Sequence, residues 1–263
     1  MKAIKFQKKN IFFTDKGKGK CIVLIHGFTE SAKIWKIFSE KLSRKYRVVC
    51  IDLPGHGKSE NIDGCHDMDL QAEVIHTLLK KIGIKKCLMV GHSMGGYVTL
   101  AFAGKYSEML KGFGLFHSHC FADTPEELEN RSKTIHIVQE DKFSFISQFI
   151  PQLFPLEVRE KFAGQIEKLV KRASKMTKEG VIAALEGMKA RHDQVELLMT
   201  TPLPVLFILG LKDPKAPISK LWEMITMPSH SEVLILRDCG HMGYIEAPEE
   251  TFETLSNFAK EVL

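Results

Sequence analysis

Cys87-Leu88-Met89-Val90-Gly91-His92-Ser93-Met94-Gly95-Gly96-Tyr97-Val98-Thr99-Leu100-Ala101-Phe102-Ala103 is the stretch that decides how this chain folds. Its first four residues are an apolar, strand-like run, and the residues from Tyr97 onward are helix-like, so residues 91–96 lie at a strand-to-helix junction. Gly-x-Ser-x-Gly in that setting is a nucleophile elbow. Serine on so sharp a turn needs glycine neighbours, because side chains at Gly91, Gly95 or Gly96 would collide with the adjacent strand or helix. The turn pushes the Ser93 hydroxyl into the open. The helix start aims backbone N–H groups, that of Met94 among them, at the place where charge would develop on a substrate carbonyl oxygen. The junction therefore predicts an enzyme with a serine nucleophile.

Working outward, strand-like runs appear at 21–25, 47–51, 87–90, 110–116, 204–209 and 232–236. Helical periodicity appears at about 32–42, 68–82, 95–106, 216–226 and 248–262. This alternation predicts an α/β fold with a mostly parallel central sheet and helices on both faces. Two opening strands, near 3–7 and 10–14, are joined closely enough to form an antiparallel hairpin at the sheet edge. Between 118 and 200 the strand signal stops, and Val158, Phe162, Ile166, Leu169, Val170 and Ala173 recur at helical spacing. The expected organisation is a core of residues 1–117 and 201–263 carrying a helical cap insertion at 118–200. Thr201-Pro202-Leu203-Pro204 suits the re-entry into a strand.

Composition excludes several function classes. The 263 residues are enough to bury a substantial interior. The formal charge of +5 is local, since the first 20 residues hold seven lysines against Asp15 alone. No aromatic residues interleave with a second basic cluster, so no nucleic-acid partner is expected. The six cysteines form no C-x-x-C pair and read as buried thiols. The start lacks the apolar run of a signal peptide, and no stretch of about 18 apolar residues could span a bilayer. A cytoplasmic protein without stable membrane association is the expectation, because prolines interrupt any long amphipathic face in the phenylalanine-rich segment 143–154. That segment, with Phe143, Phe145, Ile146, Phe149, Ile150, Leu153 and Phe154, is expected to pack the cap onto the core and to supply acyl-pocket surface.

A serine hydroxyl needs a histidine to take its proton and an acid to orient that histidine. His241, in Gly240-His241-Met242-Gly243, follows the last strand-like run and so lies on the rim where parallel strands end. Asp213 stands just past the run Val205-Leu206-Phe207-Ile208 and falls between Ser93 and His241, as the chain order of this elbow requires. Asp123, after the run ending at Phe116, is the competing acid. Phe28, in His26-Gly27-Phe28, follows the first parallel strand, and its N–H would join that of Met94 in an oxyanion hole. His26 is read as holding that loop. Asp52-Leu53-Pro54-Gly55-His56-Gly57-Lys58-Ser59 spells turns and is read as structural. His117 and His119, two apart in an extended segment, point to opposite faces, so no metal is expected there, although one of them could line a pocket. No cofactor is implied.

The set His26-Gly27-Phe28, Asp52-Leu53-Pro54-Gly55-His56-Gly57, Gly91-His92-Ser93-Met94-Gly95-Gly96, Gly210-x-x-Asp213 and Gly240-His241 resembles the cap-bearing serine branch of the α/β-hydrolase superfamily. The likeness covers nearly the whole chain outside the cap. It implies the α/β-hydrolase fold and a Ser93–His241–Asp213 triad. Ser93 argues against epoxide hydrolases and haloalkane dehalogenases, which place aspartate at the elbow. Leu24-Ile25-His26-Gly27-Phe28-Thr29-Glu30-Ser31 with Trp35 also looks like the pyruvate-eliminating synthase of the menaquinone pathway. That enzyme follows its elbow with an arginine, where this chain has Tyr97; Arg131 is the remaining candidate to meet a carboxylate. The expected activity is hydrolysis of a small carboxylic ester, a small-molecule substrate. A lyase, a carbon–carbon bond hydrolase, a perhydrolase and a ligand receptor of the same fold are the alternatives. Acyl length and oligomeric state are not encoded in any motif.

Overall fold

The structure is a computed structural model that describes residues 1–216 and 221–263. Its centre is an eight-stranded sheet of β1 (Lys2–Phe6), β2 (Lys9–Lys16), β3 (Cys21–Ile25), β4 (Arg47–Ile51), β5 (Cys87–His92), β6 (Leu110–Phe116), β7 (Val205–Gly210) and β8 (Ser231–Leu236). The spatial order is β1-β2-β4-β3-β5-β6-β7-β8. β1 and β2 form the expected antiparallel edge hairpin, β2 joins β4 antiparallel, and the rest of the sheet is parallel.

The parallel strands carry unbroken apolar runs because helices cover both of their faces. Along β3 the side chains alternate between two cores, Cys21, Val23 and Ile25 facing one and Ile22 and Leu24 the other. Along β7, Val205, Phe207 and Leu209 face the first core and Leu206 and Ile208 the second. α2 (Met68–Lys81) and α3 (Met94–Tyr106) fill the first side with residues such as Ile75, Leu78, Val98 and Phe102. α1 (Lys36–Leu42), preceded by a 3-10 turn at Ala32–Trp35, packs Trp35 and Phe38 into the second.

Between β6 and β7 the chain forms α4 (Pro125–Phe149), α5 (Ala163–Ala173), α6 (Lys178–Lys189) and α7 (Val195–Thr200), with 3-10 turns before α5. α4 starts at a reciprocal cap: Thr124 Oγ1 accepts from the Glu127 N–H, Glu127 accepts from the Thr124 N–H, and Pro125 opens the helix. Non-helical Asp141 breaks α4, and its carboxylate accepts the Ser144 N–H to restart it. The break lies just before the phenylalanine-rich segment, which begins at Phe143. Ile146, Ile150, Leu153 and Phe154 are buried in the second core, whereas Phe143 stays 60% exposed. After β8 come the short α8 (Gly243–Glu246) and α9 (Pro248–Val262).

Of the helix expected at about 216–226, residues 217–220 lie outside the described residues; a 3-10 turn occupies Met224–Thr226. The reading of all six cysteines as buried is corrected at Cys65, which is exposed in the loop before α2, away from any strand. Among the described residues, no helix is long and apolar enough to cross a membrane.

Candidate active site

The chain passes from β3 to β4 on one side, then returns to β5 on the other. β3 and β5 therefore flank the point where the strand order reverses, and the crevice of such a sheet opens there. Ser93 sits just past β5 with φ +51°, a left-handed value that serine adopts only under constraint. Its N–H donates to the Phe116 carbonyl and its own carbonyl accepts from Gly96, at 2.9 and 2.8 Å, so both sides of the turn are tied down. A Cβ at Gly91 would strike the Gly95 carbonyl, and one at Gly95 the carbonyls of Ile25 and His26. These are backbone atoms at the sheet–helix contact, and they cannot swing aside.

The structure brings Ser93, His241 and Asp213 together. His241 Nε2 lies 2.8 Å from Ser93 Oγ, and His241 Nδ1 lies 2.8 and 2.9 Å from the two Asp213 oxygens. The loop that carries His241 is held by the Glu246 carboxylate, which accepts the N–H groups of Gly240 and Met242. Asp213 turns back on itself after β7, its Oδ1 accepting the N–H groups of Lys215 and Ala216 at 2.8 and 3.1 Å. Burial alone would raise its pKa. The His241 imidazole, with hydrogen bonds from His117 and His241, overrides burial and holds it well below the ordinary carboxylate range. Asp123 does not reach His241; Arg131 and Arg191 pair with it instead.

His117 is the residue that sequence reasoning placed without its partner. It directly follows β6 at φ +49°, and its Nδ1 lies 3.1 Å from Asp213 Oδ2. Burial pushes its pKa down to about 4, so it is neutral and donates its Nδ1–H to the carboxylate. Asp213 thus accepts from two histidines and two backbone amides. His117, Asp213 and His241 present ligand-type atoms within 4.8 Å of one another, yet those atoms are directed at each other in hydrogen bonds rather than at a common void. The signal that could have pointed to His117 was its position one residue past a strand end, on the same rim as Asp213 and His241.

Phe28 lies in the loop after β3 and lines the cavity, and Met94 opens α3 directly after Ser93. His26 accepts the Leu53 N–H at Nε2 and donates from Nδ1 to the Gly27 carbonyl, which ties this loop to the one after β4. In that second loop the Asp52 carboxylate accepts from Ala32 and Lys58 N–H groups.

Above Ser93 and His241 opens a cavity of about 550 Å³. One wall is aromatic: Phe28 stands edge-on to Phe149, 5.7 Å between ring centres, and Phe149 stacks on Phe145 at 5.2 Å. The remaining lining is basic and polar, with Arg131, Arg191, Asp123, Tyr97 and His119, while the Lys215 ammonium stands over the aromatic wall, 5.2 Å from the centre of the Phe149 ring. The Arg191 guanidinium lies 4.3 Å over the Tyr97 ring, and Tyr97 Oη lies 3.1 Å from His119 Nε2. Burial draws the Lys215 pKa down, with Asp213 opposing and Arg131 adding to the fall. A smaller cavity of about 190 Å³ shares Tyr97, His119 and Arg191 with the first. Sequence reasoning named Arg131 as a candidate for meeting a carboxylate but not Arg191 or Lys215, whose loops gain meaning only where they fold over Ser93.

The family model described as Alpha/beta hydrolase family matches residues 22–254. A thermophilic esterase from Thermogutta terrifontis, solved with malate bound, superposes with a TM-score of 0.92 at 32% identity, covering 97% of this chain and 94% of that one. A 2-hydroxy-6-oxononadienedioate/2-hydroxy-6-oxononatrienedioate hydrolase of Paraburkholderia phymatum is 28% identical over 94% of this chain and 90% of its own length. The dihydrolipoyllysine-residue acetyltransferase component of the acetoin cleaving system of Pseudomonas putida is 28% identical over 92% of this chain. The match spans 64% of that relative's length.

Proposed function

The chain belongs to the alpha/beta hydrolase family, and from that premise we propose that it is a serine hydrolase that cleaves a small carboxylic ester through an acyl-enzyme on Ser93. The observation that carries this reading is the continuous chain from Ser93 Oγ through His241 to Asp213, with 2.8 Å at each link. His241 takes the Ser93 proton as Oγ attacks the ester carbonyl. The N–H groups of Phe28 and Met94 receive the oxyanion. Collapse of the tetrahedral intermediate expels the alcohol, which leaves with the proton held by His241. Water then repeats the cycle on the acyl-enzyme and frees the acid. Residues 118–200 act as the cap, the aromatic wall of Phe28, Phe145 and Phe149 takes the apolar part of the substrate, and the protein works in the cytoplasm as an enzyme without a cofactor.

A second reading, hydrolysis of a carbon–carbon bond in a carboxylate-bearing substrate, is favoured by the cations Arg131, Arg191 and Lys215 that line the cavity, the two arginines sharing Asp123, beside the further carboxylates of Glu30 and Glu127. The relative from Paraburkholderia phymatum carries a name of that kind. The test is turnover of p-nitrophenyl esters, from acetate to a long acyl chain, by wild type beside Ser93→Ala. Turnover that disappears with the Ser93 oxygen supports the esterase. Ester turnover at the wild-type rate in Ser93→Ala refutes the acyl-enzyme. A folded wild type that ignores every ester but cleaves a 2-hydroxy-6-oxo-dienoate favours the second reading.

A further inference from the structure

Behind the elbow lies a second buried histidine–carboxylate pair that the chemistry above does not use. His92, the residue before Ser93, has its Nδ1 2.9 Å from Glu30 Oε2, and both side chains are almost wholly buried. Glu30 comes from the loop after β3. Its Oε2 also accepts the Gly27 N–H at 2.6 Å, and its Oε1 accepts the Tyr244 hydroxyl at 2.7 Å. His92 Nε2 in turn lies 2.9 Å from the carbonyl oxygen of His241, to which it donates. Burial would pull His92 down, but the Glu30 carboxylate holds it above its ordinary value. Burial would raise Glu30, but His92, Tyr244 and the Gly27 amide hold it at about 2. The pair is therefore an ion pair, and each of its polar atoms is hydrogen-bonded as a buried charge requires.

Four chain segments meet on these two side chains: the oxyanion loop through Gly27, the elbow through His92, the base loop through the His241 carbonyl, and α8 through Tyr244. The fit is close, since a Cβ at Gly27 would lie 2.9 Å from both Glu30 Oε2 and His92 Nδ1 and 3.1 Å from Ser93 Cβ. We propose that Glu30 and His92 are positioning residues for the acyl transfer, a clamp that sets the Phe28 N–H and the His241 imidazole in register with Ser93 Oγ. The clamp rests on the reading of Ser93 as nucleophile. Neither residue touches the reacting atoms; each acts through the backbone that it pins.

Glu30→Gln keeps the size of the side chain, and the Tyr244 hydroxyl can turn to accept the new NH2, but the change removes the charge that keeps His92 doubly protonated, and a neutral His92 has one N–H for two acceptors, the side-chain oxygen at position 30 and the His241 carbonyl. At least one loop must shift, and a displacement of about 1 Å in a reacting group lowers the rate by about 10²-fold. The experiment is the labelling of Ser93 by a fluorophosphonate, whose phosphorus is attacked by Ser93 Oγ with loss of fluoride as His241 takes the proton. The expected result for Glu30→Gln is a labelling rate constant lower by about 10²-fold at an unchanged final amplitude, with kcat for esters reduced and KM retained. The amplitude counts folded sites, so a purely structural role would lower it instead and leave the rate constant of the remaining molecules unchanged. Tyr244→Phe, which deletes one hydrogen bond and keeps the ring, is the milder companion and should show the same split at smaller size. Labelling of both variants at the wild-type rate constant overturns the clamp, as does loss of amplitude alone in both. Wild type that takes no label overturns the nucleophile itself, and the clamp with it.

Discussion

Replacing Asp213 with asparagine tests the site more sharply than deleting the serine, because it removes a charge and one acceptor while keeping the shape. The carboxylate accepts from His241, His117 and the amides of Lys215 and Ala216. The two amides converge on Oδ1, so the asparagine oxygen must stay there to preserve the turn after β7. The new NH2 then replaces Oδ2 and faces the Nδ1 atoms of both histidines. His241 Nδ1 also lies 2.9 Å from Oδ1, but an amide oxygen that already accepts two N–H groups has no lone pair left for it, so His241 meets the NH2 by accepting at Nδ1, which moves its proton to Nε2, the atom 2.8 Å from Ser93 Oγ. In that tautomer it cannot take the serine proton. The expected loss is about 10⁴-fold in kcat, or about 5 kcal/mol of transition-state stabilisation. Protein stability should fall less, by about 1–3 kcal/mol, because buried donors lose an ionised acceptor. The assay is steady-state hydrolysis of the best p-nitrophenyl ester beside a thermal melt, with Asp123→Asn as the comparison; that variant should keep its His241 tautomer and lose far less in kcat. Asp213→Asn retaining more than about a hundredth of wild-type kcat would refute the reasoning.

Gly91→Ala should destabilise the fold by about 1–3 kcal/mol, since its Cβ meets backbone at the Gly95 carbonyl and the strand cannot retreat; a denaturant midpoint equal to wild type would contradict this. Phe149→Ala should open space at the aromatic wall and move the acyl-chain optimum to longer esters, gaining about fourfold in kcat/KM for each extra methylene that is newly buried. An unchanged chain-length profile would place the acyl group elsewhere. The Glu30–His92 pair predicts a pH signature. Glu30, depressed from 4.5 to about 2, contributes stability that is complete above pH 4.5 and disappears as pH falls toward 2. His92, raised from 6.5, contributes stability that is complete below pH 6.5 and is lost as pH climbs through its raised value. The stability gap between wild type and Glu30→Gln should therefore be widest between pH 4.5 and 6.5 and narrow on both sides, as read from urea midpoints.

The succession of strands and helices along the chain, the elbow and the position of Ser93, Asp213 and His241 just past strands were legible in the sequence because they depend on neighbours along the chain. A strained turn demands glycines within a few residues, and an apolar run buried on both faces must be a strand between two helical layers, as Val205-Leu206-Phe207-Ile208 is. The acid was only half legible. Asp213 and Asp123 both follow strands, and what separates them is that Asp123 is taken by Arg131 and Arg191 from the helical segment folded above it. The tertiary structure alone decided the partnerships around the site. His117 meets Asp213 across 96 positions, His92 meets Glu30 across 62, and Tyr244 meets Glu30 across 214. No local periodicity records such pairings, because hydrogen bonds between buried polar groups depend on how loops from separate strands converge at one rim of the sheet. The backbone conformation that exposes a serine is written in a pentapeptide, whereas the charges that hold it in place are assembled only when the whole sheet has formed.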